Sequence, residues 1–156
     1  GWVSGATAGA VGWRDGADKG GRRALRKVTG EEELAFTWYD GNGMFKRMGN
    51  LLVNPRVGLL FIDFQKPNRM RVQGTASVSD SDPLMGRFPG AQLIIRVKAE
   101  RIFPNCPRYI HKMAIVERSV YAPRPEYEPP VPDWKRMPVF RDALPRTGPA
   151  AVDVED

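Results

Sequence analysis

One cysteine and one histidine in 156 residues leave this chain unable to build a disulfide framework, and Cys106 with His111 supplies only half of the four ligands a structural zinc site takes. Long apolar runs are missing as well. The longest, residues 57–64, already contains Asp63 and falls far short of the roughly 20 residues a membrane-spanning helix needs, so no membrane partner is expected. The chain opens Gly-Trp-Val without a basic-plus-apolar leader, and the expectation is a cytoplasmic protein or a fragment of one. There is no G-x-S-x-G motif, His111 five residues after Cys106 is no triad, and no pair of carboxylates is fixed by spacing. A chain without its own nucleophile, acid and base can still be an enzyme when a cofactor carries the chemistry.

What is present suits one globular domain: 42% apolar and 27% charged residues. The net charge of +6 is unevenly spread, since residues 1–116 hold 18 basic against 10 acidic side chains. That balance suits an anionic partner or, more plainly, a solvated basic surface, and no helix-turn-helix, zinc finger or RNP-like pattern accompanies the scattered cations, so nucleic acid is not the expected partner. A small phosphorylated ligand needs only a few of them. Composition divides the chain into a body, residues 1–121, and a tail, residues 122–156. Eight of the fourteen prolines lie between Pro123 and Pro149, which removes backbone donors and predicts a tail without regular structure. Tyr127, Trp134, Val139, Phe140 and Leu144 give that tail apolar anchors for docking on the body or on a second subunit, and residues 150–156 are expected to fray.

The body reads as strands with short helices. Residues 33–39 alternate partially through Leu34, Phe36 and Trp38, which predicts a half-buried strand, and Asp40-Gly41-Asn42-Gly43 breaks it. Residues 44–53 place Met44, Met48, Leu51 and Leu52 at helical spacing until Asn54-Pro55 ends the helix. Residues 57–64 predict a central strand, residues 69–79 a strand with Met70, Val72, Gly74, Ala76 and Val78 on one face, and residues 92–103 another. Asp82-Pro83 opens a short helix to Phe88, closed by Pro89-Gly90, and residues 110–113 predict a helical turn. The sum is a mainly β meander of about five or six strands, of a size that closes into a barrel. Residues 1–30, rich in glycine and poor in large apolar side chains, read on composition alone as a floppy leader.

A phosphate site without a long glycine-rich loop needs cations and donors converging from neighbouring elements. The segment from Thr37 to Arg47 offers a hydroxyl, aromatics, a glycine-rich turn and the adjacent cations Lys46 and Arg47. Composition alone favours the plainer alternative, a helix start with solvated Lys46 and Arg47. Cys106, in a loop between Asn105 and Pro107, reads as structural.

Several blocks carry a resemblance: Ala6-Thr7-Ala8, Gly12, Asp15, Lys19-Gly20-Gly21, Glu33-Leu34-Ala35-Phe36, the run from Trp38 to Phe45, the run from Asn54 to Phe61, and the run from Phe103 to Ile110. Together, over about residues 5–121, the chain resembles the pyridoxamine 5′-phosphate oxidase-related, FMN-binding split-barrel proteins, in a bacterial subgroup. The resemblance implies a homodimeric split β-barrel with FMN at the subunit interface. It implies cofactor contacts at Arg14 and Lys19 of the second strand, at Thr37, at Lys46 and Arg47, and at Arg69, with Trp38 or Tyr39 packing near the ring system.

Departures from the family pattern accompany the match. The usual N-terminal helix and the start of the first strand are missing, and Arg22-Arg23 and Arg26-Lys27 stand where apolar strand residues belong. The substrate-binding arginines of authentic pyridoxamine phosphate oxidases have no counterpart in the tail, so that oxidation is not expected. The expected function is flavin-dependent oxidation or reduction of a small substrate. The deazaflavin coenzyme in place of FMN, a non-catalytic flavin or haem binder with His111 as haem ligand, and a paralogue that binds nothing are the alternatives.

Overall fold

The computed structural model describes residues 2–19, 26–88, 90–122, 126–127 and 129–144. Seven strands and one helix follow in the order β1 (Trp2–Ala8), β2 (Arg14–Lys19), β3 (Arg26–Val28), β4 (Glu33–Trp38), α1 (Lys46–Val53), β5 (Arg56–Asp63), β6 (Asn68–Ser79) and β7 (Leu93–Pro104). They form one sheet in the order β2-β1-β5-β6-β7-β4-β3, antiparallel throughout. Short 3-10 segments occupy Met85–Arg87, Asp133–Arg136 and Pro138–Ala143. No helix among the described residues is long and apolar enough to cross a membrane.

The sheet bends where β6 and β7, twelve residues each, change partners. The first half of β6 pairs with β5 and the second half runs beside the part of β7 that also pairs with β4. A bulge between Gln73 and Gly74 makes the corner. Only glycine fits there, because a Cβ at Gly74 would overlap the carbonyl oxygen of Lys98. Bending brings the inner faces of the two halves together: Phe36 of β4 lies 6.4 Å from Phe61 of β5. Val3, Val57, Leu59 and Val72 from one half meet Trp38, Ala76, Val97 and Ala99 from the other, and Met48 and Leu51 of α1 cap the join. Val72 and Val97 are each 1% exposed, a degree of burial that contributes about 1.5–3 kcal/mol per side chain.

The structure corrects several expectations. Among the described residues there are seven strands rather than five or six, and they are not a simple meander: β1–β2, β3–β4 and β5–β6–β7 are each consecutive neighbours, joined into one sheet by pairing β1 with β5 and β4 with β7. Residues 2–19 are no floppy leader. β1 is an interior strand with a ladder on each side, and two ladders plus the buried Val3 and Thr7 supply what its small residues lack in packing. Helix α1 starts at Lys46 because Phe45 adopts a left-handed conformation (φ 48°), and Met44 and Leu52 face solvent. The helical turn expected at residues 110–113 is absent. A turn closes earlier, with Ile110 N–H donating to the Pro107 carbonyl, and Met113 N–H instead donates to the Phe64 carbonyl. The tail, expected to lack regular structure, carries two of the 3-10 segments. Pro89, Arg22-Arg23, the fraying expected of residues 150–156 and the side chains of Lys19 and Arg26 lie outside the described residues.

Candidate functional site

The two halves of the sheet differ on their outer face. Over β4 and β7 that face is covered: Ala35, Thr37 and Ile94 are 3%, 5% and 1% exposed. Arg96 of β7 ties it down, its Nη1 donating to Glu33 Oε1 at 2.6 Å and its Nε to Asp82 Oδ2 at 2.6 Å. Asp82 also accepts from the Leu84 N–H at 2.8 Å, an Asx turn rather than the expected helix N-cap, since the 3-10 segment begins only at Met85, after Leu84, and has no side-chain cap. The hydrogen bond from Arg96 holds the Asp82 carboxyl below the ordinary carboxylate range. The Thr29 hydroxyl, then Arg96, does the same for Glu33, and the two carboxylates raise the Arg96 pKa further.

Over β2, β1, β5 and β6 the outer face is open, and its centre carries only small residues. Strand alternation places Gly16 of β2, Ser4 and Ala6 of β1, Gly58 and Leu60 of β5, and Arg71 and Gln73 of β6 on it. They line a groove of about 500 Å³. Its floor is backbone and small side chains, its wall Leu60 and its polar edge Ser4, Arg71 and Gln73. A Cβ at Gly16 or Gly58 would meet nothing within 4 Å, so the fold does not require glycine at either position. Glycine inside a strand without a local need marks a place where a ligand or another backbone approaches.

Two predicted residues flank this groove. Arg14 lies two residues before Gly16 on the same face, and Arg69 lies two residues before Arg71. Their positions are six registers apart, about 20 Å along the strands. The Arg69 Nε is buried without a hydrogen-bond partner among the described residues, an arrangement that costs free energy until an acceptor arrives.

A second group forms where β4 meets α1. The guanidinium of Arg47 sits 4.7 Å from the centre of the Trp38 ring, and its Nε is 3.5 Å from Asp15 Oδ2 on β2. Trp38 also packs on Phe45, with ring centres 6.5 Å apart. The connection before the helix is tight: Asn42 Oδ1 accepts the Met44 N–H, Gly43 has φ 72°, and Phe45 is left-handed without being glycine. A bulky residue in that region is strained, and such strain gathers at functional loops. Lys46, at the helix start, is exposed.

The structure thus brings Trp38 and Arg47 together and sets Arg14 and Arg69 at the two ends of one groove. Lys19 pairs with Val3 at the end of β2. Thr37 is buried opposite Ile94, in the register of Ser79, ten residues along β6 from Arg69 and about 33 Å away along that strand. Thr37 is therefore not joined to Arg69 within one chain.

Sequence reading missed the groove floor and Lys135. The floor was legible as small residues at period two in β1 (Ser4, Ala6, Ala8) and one glycine inside each of β2 and β5, a pattern that composition alone turns into weak strands. Lys135 carries no such signal. It looks like a solvated tail cation, yet it is 1% exposed and its ammonium pairs with Asp40 of the β4–α1 connection.

Among the described residues no group of three or more histidine, cysteine, aspartate or glutamate side chains could hold a metal ion. No protein-family profile matches the sequence, and no curated protein does either. Solved structures do match. HupZ from Group A Streptococcus superposes with a TM-score of 0.54 at 17% identity over 66% of this chain and 83% of its own. A proposed pyridoxamine 5′-phosphate oxidase from Lactobacillus delbrueckii superposes with a TM-score of 0.53 at 19% identity over 65% and 83%. At these identities the likeness establishes the fold: the bent seven-stranded sheet is the split barrel of the pyridoxamine 5′-phosphate oxidase-like proteins.

Proposed function

We propose that the protein is a flavin-dependent oxidoreductase that binds FMN on the outer face of β2, β1, β5 and β6 and acts on a small substrate. The observation that carries this reading is the groove floored by Gly16, Ala6 and Gly58 between Arg14 and Arg69. Its residues fit such a cofactor: a floor that a Cβ would fill suits a planar ring lying against backbone, and the unpartnered Arg69 Nε suits an acceptor at its edge. Arg14 at the other end, with Ser4, Arg71 and Gln73 along the margin, supplies cation and donors for a phosphate-bearing chain. Bound flavin would supply the two-electron chemistry, and the chain's own residues would bind, orient and exclude water.

The remaining predicted contacts require a second chain. Thr37 and Arg69 sit in registers too distant for one small cofactor, so a site that uses both takes them from two copies, which is the homodimer the resemblance implies. Exposed apolar side chains support that association, among them Trp2 at 41%, Met70 at 41% and Ile102 at 56%. Arg47 would join the site only by giving up its contact with Asp15.

An absorbance spectrum of the purified protein, desalted after incubation with FMN, tests the reading. Retained flavin bands that disappear in Arg14→Gln and Arg69→Gln variants would support it, and a screen of nicotinamide donors would then look for turnover. A protein that takes up no FMN at high concentration but binds the deazaflavin coenzyme would transfer the same groove to that cofactor. Failure to bind either would sink the proposal.

A further inference from the structure

We infer that Lys135 is a positioning residue: it latches the tail segment 129–144 onto the β4–α1 connection through Asp40, and the latched state is the one in which that connection is ordered for ligand binding. The ligand half of this inference rests on the flavin reading above, and the latch itself does not.

Most of the large apolar side chains of the tail segment stay exposed. Val139 is 78% exposed, Met137 48%, Val131 39% and Phe140 38%, and Leu144 is its one buried apolar side chain among the described residues. Trp134 and Phe140 pack edge-to-face on each other, 5.4 Å apart, which orders the segment internally without fastening it to the body. Lys135 is the exception. It is among the largest fully buried side chains of the molecule, with its ammonium on Asp40 and 5.7 Å from the Trp134 ring. An ammonium is buried only when a counter-charge compensates the lost hydration, and removing that partner costs more than the pair itself contributes. Docking of the segment is therefore conditional on Asp40. The dependence runs the other way too. Asp40 follows Trp38 by two residues in irregular backbone, and the connection leads through the strained Phe45 into Arg47 on the Trp38 ring. Clamping Asp40 from outside limits the conformations of a stretch that has few bonds of its own.

Limited trypsin digestion of the full chain, followed by mass spectrometry at Arg136 and Arg141, reads the latch directly. Asp40→Asn leaves a buried ammonium unpaired, and cleavage at both sites should rise by about tenfold or more. Lys135→Met keeps the volume but removes the charge, so cleavage should also rise, by a smaller factor because no buried charge is left unpaired, and Asp40→Asn/Lys135→Met should match it. Cleavage no faster than wild type in Asp40→Asn or in Lys135→Met would overturn the latch.

FMN titration then reads positioning. Affinity should fall about two- to tenfold in Asp40→Asn and also in Lys135→Met, where Asp40 is intact, and saturating FMN should slow wild-type cleavage by a matching factor, because linkage is reciprocal. Wild-type affinity in Lys135→Met would assign the loss to Asp40 itself and overturn the positioning role. A wild-type chain that binds no FMN would overturn that role together with the flavin reading, while cleavage of Asp40→Asn and Lys135→Met would still decide the latch.

Discussion

The two halves of the bent sheet share one core and differ in what they do with their outer faces. The β7–β4 half buries Ile94, Ala35 and Thr37 there and fastens Arg96 to two carboxylates from separate segments. The β2–β1–β5 half leaves its outer face bare and floors it with glycine, alanine and serine. A half that buries both faces gains stability from each, whereas a half that buries one face is free to shape the other for a ligand. Division of labour between scaffold and site is thus drawn along the corner at Gly74.

The comparison breaks most severely at the corner. Gly74→Ala forces a side chain into the Lys98 carbonyl, and we expect a loss of about 3 kcal/mol, near the upper end for overpacking, measured by urea denaturation. A loss below 1 kcal/mol would show that the corner relaxes and that the halves are less distinct than described.

The staple of the buried half should show in acid. Asp82 and Glu33 are held below the ordinary carboxylate range when folded, so the unfolded chain takes up protons first as pH falls. Their contribution is complete above that range and is lost as pH drops through it toward the lowered folded values. Melting temperature against pH should decline across this interval in wild type and flatten in Arg96→Met. Parallel curves would mean that the guanidinium does not couple the two carboxyls to folding.

A smaller effect belongs to the junction of the halves. Arg47→Met removes the charge over Trp38 and the contact with Asp15, and should cost about 1 kcal/mol by denaturant titration, the scale of a partly desolvated cation–π contact. No change would mark Arg47 as a residue held in reserve for a ligand rather than one that ties β2 to α1.

The same contrast explains what could be read in advance. Strands β4, β5, β6 and β7 announce themselves, because Phe36, Val57, Leu59, Val72 and Val97 alternate or cluster as packing demands. β1 and β2 do not, since backbone ladders rather than side chains hold them, and hydrophobic periodicity is blind to ladders. Arg14 and Arg69 were reached through the resemblance, and their separation by a groove follows only from the register of β1, β2, β5 and β6. The Asp40–Lys135 pair joins positions 95 residues apart and leaves no local trace.

Gly58 offers the most direct trial of the central claim that the bare face is a flavin cradle. Gly58→Val puts a strand-favouring side chain into open space, so the melting temperature should stay within a few degrees of wild type. FMN affinity measured on the two proteins side by side should fall by about tenfold or more, a loss of at least about 1.4 kcal/mol, because the added methyls occupy the floor. Equal affinity in a stably folded variant would contradict the account and move the cofactor off this face.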